Sequence, residues 1–296
     1  MNNPTLKAYG QIHLAVLLYG LTAILGDLIE LSAIMIVWWR VLITSFSLFL
    51  IIRMGKTLMG LSPKLIKIYA GIGVLIALHW ITFYGSIKLA NVSVALICFS
   101  TTALFTAILE PLITKKPFNR LDLSLAVLII PGMWMIVSGT DASMHLGIVV
   151  GLISAMLIAV FAIINKIYIE GSDQYTISFI EMFSATIFIS ILLPFLFYFQ
   201  PDISFLPSRS IDWTYLIILS LLCTTLAYVL SLKALRFISA FAINLVFNLE
   251  PIYGIILAAI LLNEQKELSG GFYLGSFIII ATIIIYPIVK HRVNLK

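Results

Sequence analysis

Ten apolar segments of helical length run along this 296-residue chain, joined by loops of at most about a dozen residues. Crossing about 30 Å of hydrocarbon takes about 20 residues at about 1.5 Å each. On that measure the predicted spans are 10–27, 32–53, 66–87, 91–113, 119–138, 147–169, 175–199, 213–234, 238–262 and 269–290. A short stretch near the end of the third span, Ser86-Ile87-Lys88 after Phe83, recurs near the end of the eighth as Ser231-Leu232-Lys233 after Tyr228. Five spans per half is an odd number, so the second half must enter the membrane upside down relative to the first. The expected fold is therefore all-α. It is a polytopic membrane protein of ten transmembrane helices, built as two inverted five-helix repeats over residues 1–138 and 139–296. Repeats of this kind carry a binding site between them in secondary transporters.

The chain is 61% hydrophobic and 10% charged, too little charge to cover a soluble domain, so lipid is the expected solvent. With the N-terminus inside, fourteen Lys and Arg residues fall on the inner side and three (Lys88, Arg209, Lys266) on the outer, with Arg40 inside a span. Cytoplasmic loops collect Lys and Arg, which predicts both termini in the cytoplasm of a bacterial inner membrane. The net charge of +5 is then topological and excludes a nucleic-acid partner. The first apolar run ends in Gly26-Asp27 and reads as a span, not as a cleaved signal. Cys98 and Cys223 lie within spans and read as small packing residues. No loop could hold a nucleotide-binding domain and no glycine-rich phosphate loop is present, so no cofactor is expected. Pairs of glycines four apart open spans six (Gly147, Gly151) and ten (Gly271, Gly275). They suit close helix packing in a monomer or, at span ten, a weak homodimer.

Ionisable side chains in mid-membrane need a partner, a hydrated cavity or a shallow position. Counted from the span ends, Arg40 lies about 12 Å and Glu250 about 18 Å deep, with His79 near the level of Glu250. For Arg40 and Glu250 that leaves a mutual ion pair or a hydrated cavity. His79 reads equally as a proton carrier or as a neutral imidazole bonded to a carbonyl. Glu181 sits about 9 Å from the cytoplasmic face. Lys88 and Lys166 can snorkel to the interface, and Glu110 stands at a helix end beside a basic loop.

Span nine contains Asn244, Asn248, Glu250, Pro251 and Tyr253. Pro251 removes a backbone donor and frees the carbonyl of Phe247, so the helix is expected to kink or unwind there. Free carbonyls at membrane depth are tolerated where they line a cavity. Asn244 and Asn248 share a face, while Glu250 points roughly 200° from Asn248 on a straight helix, so only a local break lets all three face one site.

Val37-Trp38-Trp39-Arg40, Trp80 through Tyr84 to Lys88, Asn91-Val-Ser-Val-Ala95, Tyr228 through Lys233 to Ser239-Ala240, and Asn248-Leu-Glu250-Pro251 through Asn263-Glu264 form an ordered set of motifs across the chain. Together they resemble the drug/metabolite transporter superfamily, specifically the EamA family. That resemblance implies a central cavity between the halves, alternating access, and export of amino acids or other small metabolites, coupled to protons or uncoupled. The chain departs from the pattern where many members end the fourth span with Gly-Glu; here the residues are Lys115-Lys116-Pro117.

The expected activity is secondary transport, export of a small amphipathic metabolite such as an amino acid. The candidate substrate contacts are Arg40, His79, Trp80, Tyr84, Tyr228, Asn244, Asn248, Glu250 and Tyr253; Glu250, Glu181 and His79 are candidate proton carriers. A rival in the same class is proton-coupled efflux of lipophilic cations, which requires Glu250 or Glu181 to lack a protein cation partner. A membrane-embedded enzyme would need a clustered catalytic set, and the four histidines, at 13, 79, 145 and 291, are scattered. A channel is the remaining alternative.

Overall fold

The computed structural model describes residues 4–52, 60–234, 237, 246–247, 249–266 and 268–294, all helices and short connections with no strand among them. The helices are α1 (Pro4–Leu28), α2 (Ala33–Ile51), α3 (Pro63–Leu89), α4 (Val92–Ser100), α5 (Thr102–Thr114), α6 (Arg120–Gly139), α7 (His145–Tyr168), α8 (Gln174–Phe199), α9 (Ser210–Ser220), α10 (Ala227–Ala234), α11 (Glu250–Leu261) and α12 (Gly270–Asn294). A π-helical stretch, Leu221–Leu226, joins α9 to α10. Among the described residues, seven stretches are long and apolar enough to cross a membrane, the pairs α4–α5 and α9–α10 each counting as one; three shorter apolar helices lie at 127–139, 250–261 and 270–282.

Local sequence sets the helix starts. Ser62 accepts from Leu65 N ahead of Pro63 at the first turn of α3, Asn91 accepts from Val94 N at the start of α4, and Asp173 accepts from Thr176 N at the start of α8. The fourth expected span is broken at Thr101, where φ is −73° and ψ is −2°. Ser100 Oγ, Thr101 Oγ1 and Thr102 Oγ1 donate to the carbonyls of Leu96, Cys98 and Phe99, drawing three carbonyls of the preceding turn toward side chains at the junction.

The packing between halves has an exchange symmetry. The main contacts pair α3 with α7, α1 with α10, α4 and α5 with α7, α1 with α11, α3 with α8, α2 with α9, α2 with α8, α4 with α11, and α6 with α12. Replacing each helix of one half by its counterpart in the other returns the same set. The glycine pairs serve this packing: Gly147 and Gly151 abut Ala90, Ser86 and Cys98, while Gly275 lies against the carbonyl of Gly132. A Cβ at Gly275 would come within 2.5 Å of that oxygen, so glycine is required where α6 and α12 meet.

Candidate functional site

Arg40 on α2 is 2% exposed and points into the protein. Its Nε donates to Thr224 Oγ1 at 2.7 Å, its Nη1 donates to Tyr84 OH at 2.7 Å, and its Cζ lies 3.9 Å from the centre of the Trp80 ring. The guanidinium is therefore gripped by α3 on one side and by the π-helical stretch on the other. Tyr84 is seated against Gly26, where a Cβ would fall 2.2 Å from its ring. Its neighbours in sequence look elsewhere: Trp38 Nε1 donates to Ser190 Oγ and Trp39 Nε1 to the carbonyl of Phe205, pegging α2 to α8 and to the loop before α9. The ion pairs among the described residues are Lys166–Glu110, Arg209–Glu30 and Arg209–Asp212, so Arg40 has no carboxylate partner there. A buried charge in that condition costs several kcal/mol unless neutral dipoles, aromatic faces or a ligand offset it.

Glu181 on α8 mirrors this arrangement with the opposite sign. It is completely buried; Oε1 accepts from Asn165 Nδ2 at 3.0 Å and Oε2 accepts from Tyr228 OH at 2.8 Å. Arg40 and Tyr84 belong to the second and third helices of their half, and Glu181 and Tyr228 to the second and third of theirs. Between them runs a seam lined by Thr44, Leu48, Ser178, Met182, Thr224, Thr225, Tyr228 and Val229. It leaves no room for a water molecule, so the seam is closed. Hydroxyls staple it: Ser45 with Thr186 at 3.3 Å, Ser47 with Thr225 at 2.8 Å, and Thr44 Oγ1 onto the carbonyl of Ser220 at 3.2 Å.

The other expected residues are placed as follows. His79 Nδ1 lies 2.8 Å from Ser154 Oγ and 3.0 Å from its carbonyl, while Ser154 Oγ is 3.0 Å from the His79 carbonyl, a clamp between α3 and α7. Glu250 opens α11, is half-buried, and makes no ion pair among the described residues; the Arg40 guanidinium is the cation whose field reaches it. Tyr253 packs with α1 against Ala8, Ile12 and Val16. Asn244 and Asn248 lie outside the described residues. Trp80, Tyr84 and Arg40 are thus brought together, Tyr228 joins Glu181, and His79 and Tyr253 stand apart from both groups. Glu110 meets Lys166 at 3.4 Å in a partly exposed pair.

Two features escaped the sequence reading. Thr101, between α4 and α5, and Leu249, the residue that precedes α11, each stand fourteen positions before a residue with positive φ, Lys115 at 54° and Asn263 at 60°. The two positions are therefore equivalent, although a proline follows closely only at the second. The run Ser100-Thr101-Thr102 was the available signal for the first. The other feature is the π-helical stretch, in which Thr224 and Thr225 donate to carbonyls five residues back, Leu219 and Ser220. Such turns are frequent at functional sites.

At the end that carries Lys88, Arg209 and Glu264, the one expected to face outward, a polar latch joins the halves. Lys88 Nζ donates to the carbonyls of Asp27 and Ile29 at 2.9 and 2.8 Å. Arg209 pairs with Glu30 at 2.9 Å and Asp212 at 2.6 Å and also donates to the carbonyl of Leu28. Glu264 accepts from the first amides of α4, Val92 N at 2.8 Å and Ser93 N at 2.9 Å. Burial pushes the Glu264 carboxyl above its ordinary value, against the pull of those bonds.

Comparison with known proteins gives the same picture. The EamA-like transporter family matches twice, over residues 6–138 and 145–286. No curated protein matches the chain. Among solved structures, one titled "Crystal structure of protein" superposes with a TM-score of 0.65 at 12% identity, covering 98% of this chain and 98% of its own, a likeness of fold.

Proposed function

The chain belongs to the EamA-like transporter family of the drug/metabolite transporter superfamily, a multi-pass membrane protein, and from that premise we propose that it exports a small amphipathic metabolite, an amino acid or a close relative, by alternating access. The observation that carries this reading is Arg40, a buried permanent cation held by two hydroxyls and an indole with no carboxylate partner among the described residues. A substrate carboxylate can replace Tyr84 and Thr224 as the acceptor and supply the charge they lack. The exchange symmetry of packing and the matching positions of Thr101 and Leu249 support two inverted five-helix repeats, 1–138 and 139–296. Ten spans with both termini cytoplasmic, in a bacterial inner membrane, complete the reading on the distribution of Lys and Arg. Trp80, Tyr84 and Tyr228 form walls of the site, with Asn244, Asn248, Glu250 and Tyr253 as the contribution of the ninth span. The protein carries substrate and does no chemistry on it.

The test is efflux from proteoliposomes loaded with a mixed pool of amino acids and small metabolites, read by mass spectrometry with and without a pH gradient. Selective loss of a few compounds, abolished by Arg40→Ala with Glu250→Gln, supports the reading. No selective efflux in either gradient direction sinks it.

Proton-coupled efflux of lipophilic cations is the second reading. It is favoured by Glu181 and Glu250 both lacking a protein cation partner among the described residues. Quenching of a fluorescent lipophilic cation on imposing a pH gradient, lost in Glu250→Gln or Glu181→Gln, would move the assignment to it.

A further inference from the structure

We infer that Glu181, Asn165 and Tyr228 form a binding site for a single positive charge, carried by a small monovalent cation or by the ammonium group of a substrate. Glu181 is wholly buried, and both its oxygens accept hydrogen bonds from neutral donors, Asn165 Nδ2 and Tyr228 OH. No ion pair among the described residues includes it. Two neutral donors offset part of the cost of burying a carboxylate and leave its charge unmatched.

A second observation points the same way. Asn165 Oδ1 has no hydrogen-bond partner, although the residue is only 8% exposed. Because the amide nitrogen of Asn165 bonds to Glu181, the oxygen of the same planar group stands beside the carboxylate. Turning the amide over would set oxygen against oxygen. A proton on Glu181 would not satisfy the set either. With the amide as it stands, Oδ1 stays unpaired whether or not the carboxyl is protonated. A positive charge resolves both deficits, since an ammonium donates to carboxylate and amide oxygen together and Na+ takes both as ligands.

α3 presses against the backbone at Glu181, where a Cβ on Gly73 would fall 2.3 Å from the Glu181 carbonyl, and so fixes the helix that carries the carboxylate. Tyr228 and Thr224 lie one turn apart on the seam that leads toward Arg40, so the positive-charge site and the guanidinium stand at opposite ends of one closed crevice. The site rests on the transport reading for its purpose, as an ammonium pocket or a coupling-ion pocket, and is independent of it in its test.

The test uses the purified full-length chain in detergent, with Na+, methylammonium or the bulky N-methylglucamine ion as chloride salts at constant ionic strength. A ligand that binds the folded state raises the unfolding midpoint in a saturable way. The expected result is a rise with Na+ or methylammonium over N-methylglucamine, lost in Glu181→Gln and in Asn165→Ala. A rise with Na+ alone assigns a coupling ion; a rise with methylammonium alone assigns the substrate ammonium. Because Glu181→Gln may fail to fold, equilibrium binding of radioactive sodium to the unaltered chain, competed by methylammonium, gives a second readout. The proposal is overturned by no cation effect and no sodium binding in the unaltered chain, by an undiminished shift in folded Glu181→Gln, or by a response to pH alone. Cation binding in a protein that transports nothing would sink the transport reading and leave the site standing.

Discussion

Thr224 receives a 2.7 Å hydrogen bond from Arg40 Nε and gives its own proton to the carbonyl of Leu219, five residues back, at 2.7 Å. One hydroxyl thus couples the buried guanidinium to the turn whose backbone ladder is out of register. Any ligand that draws Arg40 away from Thr224 takes a hydrogen-bond donor from that turn, which gives charge recognition a direct mechanical route into the third helix of the second half.

Arg40→Lys is expected to keep the charge and lose the function. A single ammonium lacks the planar fork that reaches Thr224 and Tyr84 together, and it stacks less well on Trp80. Loss of one charge-assisted bond of about 1.5–3 kcal/mol corresponds to about a tenfold or greater fall in efflux rate. The check is proteoliposome efflux at matched protein content, and near-normal efflux would remove Arg40 from the site.

His79 is expected to behave as a clamp. Its Nδ1 faces both the hydroxyl and the carbonyl of Ser154, so Ser154→Ala and His79→Phe should each destabilise the α3–α7 contact, by about 1–3 kcal/mol. Efflux plotted against pH should keep its shape in both variants. A profile flattened by His79→Phe and left intact by Ser154→Ala would restore the proton-carrier role.

The two ends of the molecule are unequal where the repeats should match. Asn263 and Lys115 both have positive φ; the residue after Asn263 is Glu264, which holds the first amides of α4, and the residue after Lys115 is Lys116, which has no acceptor to offer. Carboxylates at helix N-termini contribute about 0.5–2 kcal/mol, so the carboxylate lies wholly on the outer side of this balance. Glu264→Gln combined with Arg209→Ala should therefore favour the outward-open state. Labelling of a Leu31→Cys variant by a membrane-impermeant thiol reagent should accelerate in that background, and an unchanged rate would show that the latch does not bias access.

How much of this was legible in sequence depends on whether the signal was local. Apolar length located the helices, and Ser231-Leu232-Lys233 echoing Ser86-Ile87-Lys88 located the repeat, because burial in lipid leaves those patterns in the chain itself. Depth counting singled out Arg40, Glu250 and His79, with Glu181 at a shallower level, for the same reason. Their partners were not legible: Thr224 is 184 positions from Arg40, and nothing in Ser-Leu-Leu-Cys-Thr-Thr states that its turn will be π-helical. Depth left Arg40 and Glu250 either a mutual ion pair or a hydrated cavity, because depth carries no azimuth; Arg40 turns toward Trp80, Tyr84 and Thr224.

The interruption at Thr101 gives the sharpest test of alternating access, because it separates motion from binding. Ser100, Thr101 and Thr102 point their hydroxyls at carbonyls of the preceding turn, and none of the three contacts Arg40 or Glu181. Replacing all three by alanine removes those competing bonds and supplies the strongest helix former, a gain of about 0.5 kcal/mol per position that should fuse α4 and α5 into one helix. The expected variant unfolds at a higher temperature, binds its ligand with unchanged affinity, and transports more slowly, since the fourth helix can no longer bend between α4 and α5. Equal turnover in a demonstrably stabilised variant would mean that the two halves move as rigid bodies and that the break at Thr101 serves packing alone.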